Sequence, residues 1–225
     1  MSLRLLAASV LIPAVIGAQV RTIDQGSFTV SVNNQRVGRE DFTIIEDASA
    51  GTVSYLARAT VEYRERGLRL QPYLTANASG VTTTYELGVR GGSIQKWSGT
   101  IDRNRVSAYV STDRGQAAKE FVVSVGALVL DDDVFHQYYF LAKRANEGSV
   151  AVIIPQRNTQ ARVTIARQGT ERIELGMREV EAQKLVVTEG SGGTREVWVD
   201  AQGRVLKVAI PSRGVVATRD ELPPS

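Results

Sequence analysis

His136 is the sole histidine among the 225 residues, and it follows Asp132 by four positions, the spacing that brings two side chains together on one helix face. A carboxylate beside an imidazole has the chemistry of a metal site or of an acid–base pair. Zinc takes three or four protein ligands, so the pair alone is an incomplete set, and a capping aspartate followed by a histidine on the helix surface accounts for the same two residues. Asp131, Asp132 and Asp133 supply the carboxylate oxygens that calcium prefers. Three adjacent side chains diverge, however, and the glycine and distal glutamate of an EF-hand loop are missing, so capping of a helix start is the stronger account. Gly190-Ser191-Gly192-Gly193 resembles a phosphate loop but lacks the following lysine and helix, and it reads as a hairpin loop. Asn77-Ala78-Ser79 matches a glycosylation sequon and is read as a turn. Neither G-x-S-x-G nor H-E-x-x-H occurs. With no cysteine in the chain, thiol nucleophiles, iron–sulfur clusters and most structural zinc sites are excluded. No catalytic residue, metal or cofactor is assigned.

The element that must carry these residues is Ala127 to Pro155, where an apolar run, three acids, an amphipathic segment and a second apolar run read as strand, helix and strand. The helix is expected near 132–145. Acids at its start and Lys143 and Arg144 in its last turn match the macrodipole, and Asn146 to Gly148 supplies the stop. Its aromatic residues Phe135, Tyr138, Tyr139 and Phe140, with Val134, Leu141 and Ala142, wrap more of the helix than a single stripe. Packing of that helix against a sheet accounts for them; the sharper alternative is that part of the face lines a groove for an apolar ligand.

On either side the chain alternates apolar and polar residues with a period of two. Ser27 to Val32, Arg36 to Ile45, Val53 to Val61, Leu68 to Ala76, Val81 to Val89, Ser93 to Ile101 and Arg105 to Val110 read as strands joined by short turns, so this half is an antiparallel meander. Lys119 to Val125 leads into the helical stretch. Beyond Pro155 the alternation resumes around Ala161 to Ile165, Ile173 to Leu175, Val180 to Thr188, Glu196 to Asp200, Arg204 to Ile210 and Val215 to Arg219. Pro72 inside a strand marks an edge or a bulge. No repeat of fixed period and no composition shift divides the chain.

Residues 1–18, with Arg4, an apolar core from Leu5 to Ile16 and small residues at Gly17 and Ala18, have the pattern of a secretory signal peptide. The core is shorter than the roughly 20 residues needed to span a bilayer, so no integral membrane segment is expected after cleavage. Residues 19–220 then form one domain, and 221–225 a loose tail. A formal net charge of +3 without long charge runs gives no reason to expect a nucleic-acid partner.

The opening SFTVSVNNQRVGREDFTI, with Phe28, Val37-Gly38 and Glu40, and the closing EVWVDAQGRVLKVAIP, with Trp198, Asp200, Gly203 and Arg204, resemble the uncharacterised bacterial envelope proteins of the DUF3108 and DUF6134 type. Those are similar in turn to the lipoprotein carriers LolA and LolB and to the mycobacterial lipoprotein LppX. The resemblance implies an all-β, mainly antiparallel half-barrel with one helix on its concave face, where members of the class hold acyl chains. The chain departs from the carriers in lacking a lipid-modified cysteine. The expectation is therefore a periplasmic protein binding a lipid or other apolar molecule without transforming it, with Phe135, Tyr139 and Phe140 on the helix and Tyr55 and Trp97 on facing strands as contact residues. Two rivals stand beside it. One is a structural or protein-binding envelope module with a filled core, its partner adding to a sheet edge near Pro72 or the tail. The other is an enzyme, which requires an enclosed pocket with convergent polar groups.

Overall fold

A computed structural model describes residues 20–190 and 193–224; the segment read above as a signal peptide and two residues of the Gly190–Gly193 loop, Ser191 and Gly192, lie outside them. Apolar residues two apart along each strand face one side, and burying that side bends the sheet around a single helix. Among the described residues, fifteen strands form one sheet: β1 (Val20–Val32), β2 (Gln35–Asp47), β3 (Ser54–Tyr63), β4 (Leu68–Asn77), β5 (Thr82–Arg90), β6 (Lys96–Asp102), β7 (Arg105–Thr112), β8 (Gly115–Val122), β9 (Leu128–Val129), β10 (Ser149–Ile154), β11 (Thr159–Leu175), β12 (Arg178–Glu189), β13 (Thr194–Val199), β14 (Val205–Ile210) and β15 (Val215–Arg219). The order runs β8-β7-β6-β5-β4-β3-β2-β1-β15-β14-β13-β12-β11-β10-β9, so the barrel is unclosed, with β8 and β9 as its free edges. Every pairing is antiparallel except β9 with β10, because the helical crossover between those two returns the chain in the same direction. This is the mainly antiparallel, curved, unclosed sheet with one helix that the family resemblance implies.

The helix is shorter than the periodicity suggests. Only Tyr138–Lys143 is α-helical (α1); Tyr138, Tyr139 and Phe140 each donate to the carbonyl three residues back, so the segment enters through tight turns, and Gly148 at φ 69° ends the following 3₁₀ turn. Tyr138, Phe140, Leu141 and Ala142 are buried against the sheet's concave face. A second, smaller apolar cluster around Trp198, Ile173, Leu175 and Leu206 covers the opposite face, where Lys184 and Lys207 both stack on the Trp198 indole.

Pro72 corrects an expectation. It lies in β4, between β3 and β5, and is paired with Leu87, so it marks no sheet edge. Lacking an N–H, it leaves the β3–β4 ladder open between Arg58↔Tyr73 and Val61↔Leu70 without changing the register. The segment before the helical stretch, read as a lead-in from Lys119 to Val125, holds a strand that begins at Gly115, because a two-residue turn at Asp113-Arg114 folds β8 back on β7. The two separate runs at Ala161 and Ile173 are one long strand, β11, joined through a bulge between Arg167 and Thr170.

Candidate functional site

Glu40 falls on the core-facing side of β2, in step with Phe42 and Ile44, and its side chain is fully buried, as is that of His136. A carboxylate so placed must be satisfied locally. Its Oε2 accepts the Phe135 N–H at 2.6 Å and its Oε1 accepts the His136 N–H at 3.1 Å, while His136 Nδ1 meets the same Oε1. Glu40 therefore does for the segment entering α1 what a capping side chain does, from a strand nearly a hundred residues away. His136 and Asp132 do not meet, and His136 is not on the helix surface expected: its ring is buried and stacks against Phe42 with centroids 6.0 Å apart. Gly38 makes room nearby, since a Cβ there would meet the Tyr63 ring at 2.7 Å. Tyr63 Oη and His136 Nε2 are buried without a hydrogen-bond partner among the described residues. Burial, reinforced by the charges of Asp133 and Glu40, holds the Tyr63 phenol in its protonated form. A carboxylate orienting an imidazole is the base half of a catalytic triad, but with both side chains enclosed no substrate atom reaches it in this arrangement.

The three acids play three parts, none of them the helix cap expected. Asp131 is buried; Oδ1 accepts the backbone N–H groups of Gln156 and Asp132 and Oδ2 accepts Tyr85 Oη. Asp132 takes Arg157 through two bonds of 2.5 and 2.8 Å. Asp133, at φ 60°, accepts from Arg213 at 2.7 Å and lies 3.7 Å from Arg66. These arginines come from three equivalent connections, the 3₁₀ turns Arg64–Arg66, Pro155–Arg157 and Pro211–Arg213, each closed by a left-handed residue, Gly67, Asn158 or Gly214. The acid triplet is thus a hub that fastens three turns at one end of the barrel. Its sequence signal is the recurring Arg-Gly or Arg-Asn pair at 66–67, 157–158 and 213–214, which the strand pattern does not single out.

Burial raises the Asp131 carboxyl to about 7. Between the ordinary aspartate value near 4 and that value the folded chain holds a proton that the unfolded chain releases, so stability from this group falls as pH rises through the window and levels off above it, by at most roughly 1.4 kcal/mol per pH unit. Asp131→Asn is expected to remove this slope: the variant gains on the parent between pH 4.5 and pH 8 in urea-unfolding midpoints. A constant difference between the two proteins across that range would refute the assignment.

The five aromatic residues expected to touch a ligand all lie in the apolar core or packed against it. Tyr55, Tyr139 and Phe140 come together, with edge contacts of 5.3 to 6.4 Å between ring centroids. Phe135 packs on Phe28 and Trp97 on Tyr85. Phe135, Phe140 and Trp97 are each 1% exposed, so these rings meet one another and the core. The space lies elsewhere. A groove of about 450 Å³ sits between the β7–β8 hairpin and the Pro155 turn, with Ile94, Val110, Ala117 and Pro155 as its apolar walls and Arg114 and Lys119 beside them. Val110 pairs with Ala117 and lies in step with the buried Val106 and Ala108, so the groove is the end of the concave face that α1 does not fill.

The fold and this geometry define a β-barrel-like domain. No family model and no curated protein sequence matches the chain. Among solved structures it is similar to a β-barrel-like protein of the domain of unknown function DUF1849 from Brucella abortus, with a TM-score of 0.54 and 8% identity over 87% of this chain and 94% of that one. At that identity the likeness establishes the fold.

Proposed function

We propose that the chain is an exported binding protein of the cell envelope that takes a lipid or similar apolar molecule at the open end of its concave face and leaves it chemically unchanged. The observation that supports this reading is the groove between the β7–β8 hairpin and the Pro155 turn, which falls in the volume range of small-molecule sites. Burial supplies the affinity, at about 0.8 kcal/mol per methylene removed from water. In this reading the ligand contacts pass from Phe135, Tyr139, Phe140, Tyr55 and Trp97 to Val110, Ala117, Ile94 and Pro155. Ala117 is exposed, so Ala117→Trp is expected to fill the groove, to weaken binding of the neutral dye Nile red at least tenfold, and to leave the thermal midpoint within a degree or two. Dye binding that survives Ala117→Trp would overturn this location.

A second reading has its own observation. Among the described residues β8 has no strand on its outer side, and Tyr109, Val122 and Val125 near it are exposed, so an extended segment of an envelope protein would find an edge to extend there. Lys119 on that strand is the kind of charge that protects an edge from indiscriminate pairing.

A further inference from the structure

We infer that the groove selects single-chain amphiphiles with an acidic head, an inference that rests on the apolar-ligand reading above. Arg114 stands at the tip of the β7–β8 hairpin and Lys119 lies further along β8, with Ala117 between them. Alternation along β8 puts Ala117 and Lys119 on the same face as Val110, so the apolar floor is flanked by two cations. The lining contains no acid. Three arginines at this end of the barrel are engaged elsewhere: Arg157 and Arg213 hold Asp132 and Asp133, and Arg66 lies against Asp133. Arg114 and Lys119 have no ion-pair partner among the described residues. An apolar ligand with a neutral head would leave both charges beside freshly dried surface. A carboxylate or phosphate monoester at the end of the chain pairs with them instead, through charge-assisted hydrogen bonds. A cationic head is repelled, so the same two residues select for one charge and against the other.

The test is displacement of Nile red from the full-length mature protein at pH 8 and low salt by dodecanoate, dodecanol and dodecyltrimethylammonium, all below their micellar concentrations. Dodecanoate is expected to bind about tenfold tighter than dodecanol, with the advantage shrinking in high salt, and the ammonium amphiphile more weakly than either. The double substitution Arg114→Gln/Lys119→Gln is expected to bring dodecanoate down to the level of dodecanol. Dodecyl phosphate separates the two sources of an acidic head: either anion exceeding dodecanol supports the inference, and the tighter of the two tells a free fatty acid from a phosphate-headed lipid. Equal affinity for dodecanoate, dodecyl phosphate and dodecanol would overturn the acidic-head inference and leave the apolar-ligand reading standing. Failure of all of them to displace the dye overturns both. A preference for the anions that persists in the double variant overturns the assignment to Arg114 and Lys119.

Discussion

Glu40→Ala is expected to destabilise the protein by about 3–5 kcal/mol, enough to lower the urea midpoint drastically or to prevent recovery of folded material. The carboxylate is the acceptor for two buried backbone N–H groups and for the His136 imidazole, and alanine leaves all three without a partner and opens a cavity beneath the entry to α1. A buried donor stranded in this way costs about 1–3 kcal/mol. Glu40→Gln keeps the shape and one acceptor oxygen, so it is expected to lose less, roughly half. Because the affected segment carries α1, near-ultraviolet circular dichroism of Tyr138, Tyr139 and Trp97 should change in Glu40→Ala before the far-ultraviolet strand signal does. If Glu40→Ala unfolds at the same urea concentration as the parent, the capping role is wrong.

The second large effect is expected at Arg219. This arginine is 2% exposed; it binds Asp24 at 2.8 and 3.1 Å, donates to the Glu221 carbonyl and covers the Phe42 ring, which joins β15 to β1 and β2 at the middle of the sheet. Arg219→Met keeps most of the apolar volume but strands the Asp24 carboxylate, and about 3–5 kcal/mol is expected to be lost at pH 8. Burial already raises the Asp24 carboxyl above its ordinary value, with Arg219 opposing that shift; without the arginine the rise is larger. A carboxyl whose folded value lies above its unfolded value favours the fold most below the unfolded value, so the variant should recover part of its stability as pH falls toward 4. Asp24→Asn combined with Arg219→Met should be less destabilised at pH 8 than Arg219→Met alone. A deficit in Arg219→Met that is independent of pH between 4 and 8 would show that lost packing, rather than a stranded charge, dominates.

These two sites mark where sequence reading reaches its limit. The strands of the meander, the Asn33-Asn34 turn and the stop at Gly148 are legible because each depends on neighbours within a few residues: alternation, tolerance of positive φ, and a left-handed closing residue. At Asn33 and Asn34 the φ angles of 49° and 65° are what those residue types permit. Glu40 was half legible. Its position in step with Phe42 and Ile44 says that a carboxylate faces the core, but the identity of its partner depends on residues 95 and 96 positions away. The Asp132–His136 spacing misled for the complementary reason: it presumes a helix through 132–136, and the chain there is spent on turns pinned by Glu40 and by three arginines. The aromatic residues named as ligand contacts lie in or against the apolar core, and the division between rings that fill the concave face and residues that border open space follows from how far α1 reaches along the sheet.

The sequence by itself determined an all-β chain with one interrupting helical stretch, an apolar face on each strand and the absence of cysteine chemistry, since these are properties of residue type and short-range period. Tertiary structure alone decided that β8 and β9 are the free edges, that Asp132 and Asp133 gather Arg66, Arg157 and Arg213, and that the open part of the concave face lies by Val110 and Ala117 instead of beneath Tyr139 and Phe140. Each of these joins segments tens to hundreds of residues apart, and a local pattern carries no record of which distant surface will bury it or leave it open.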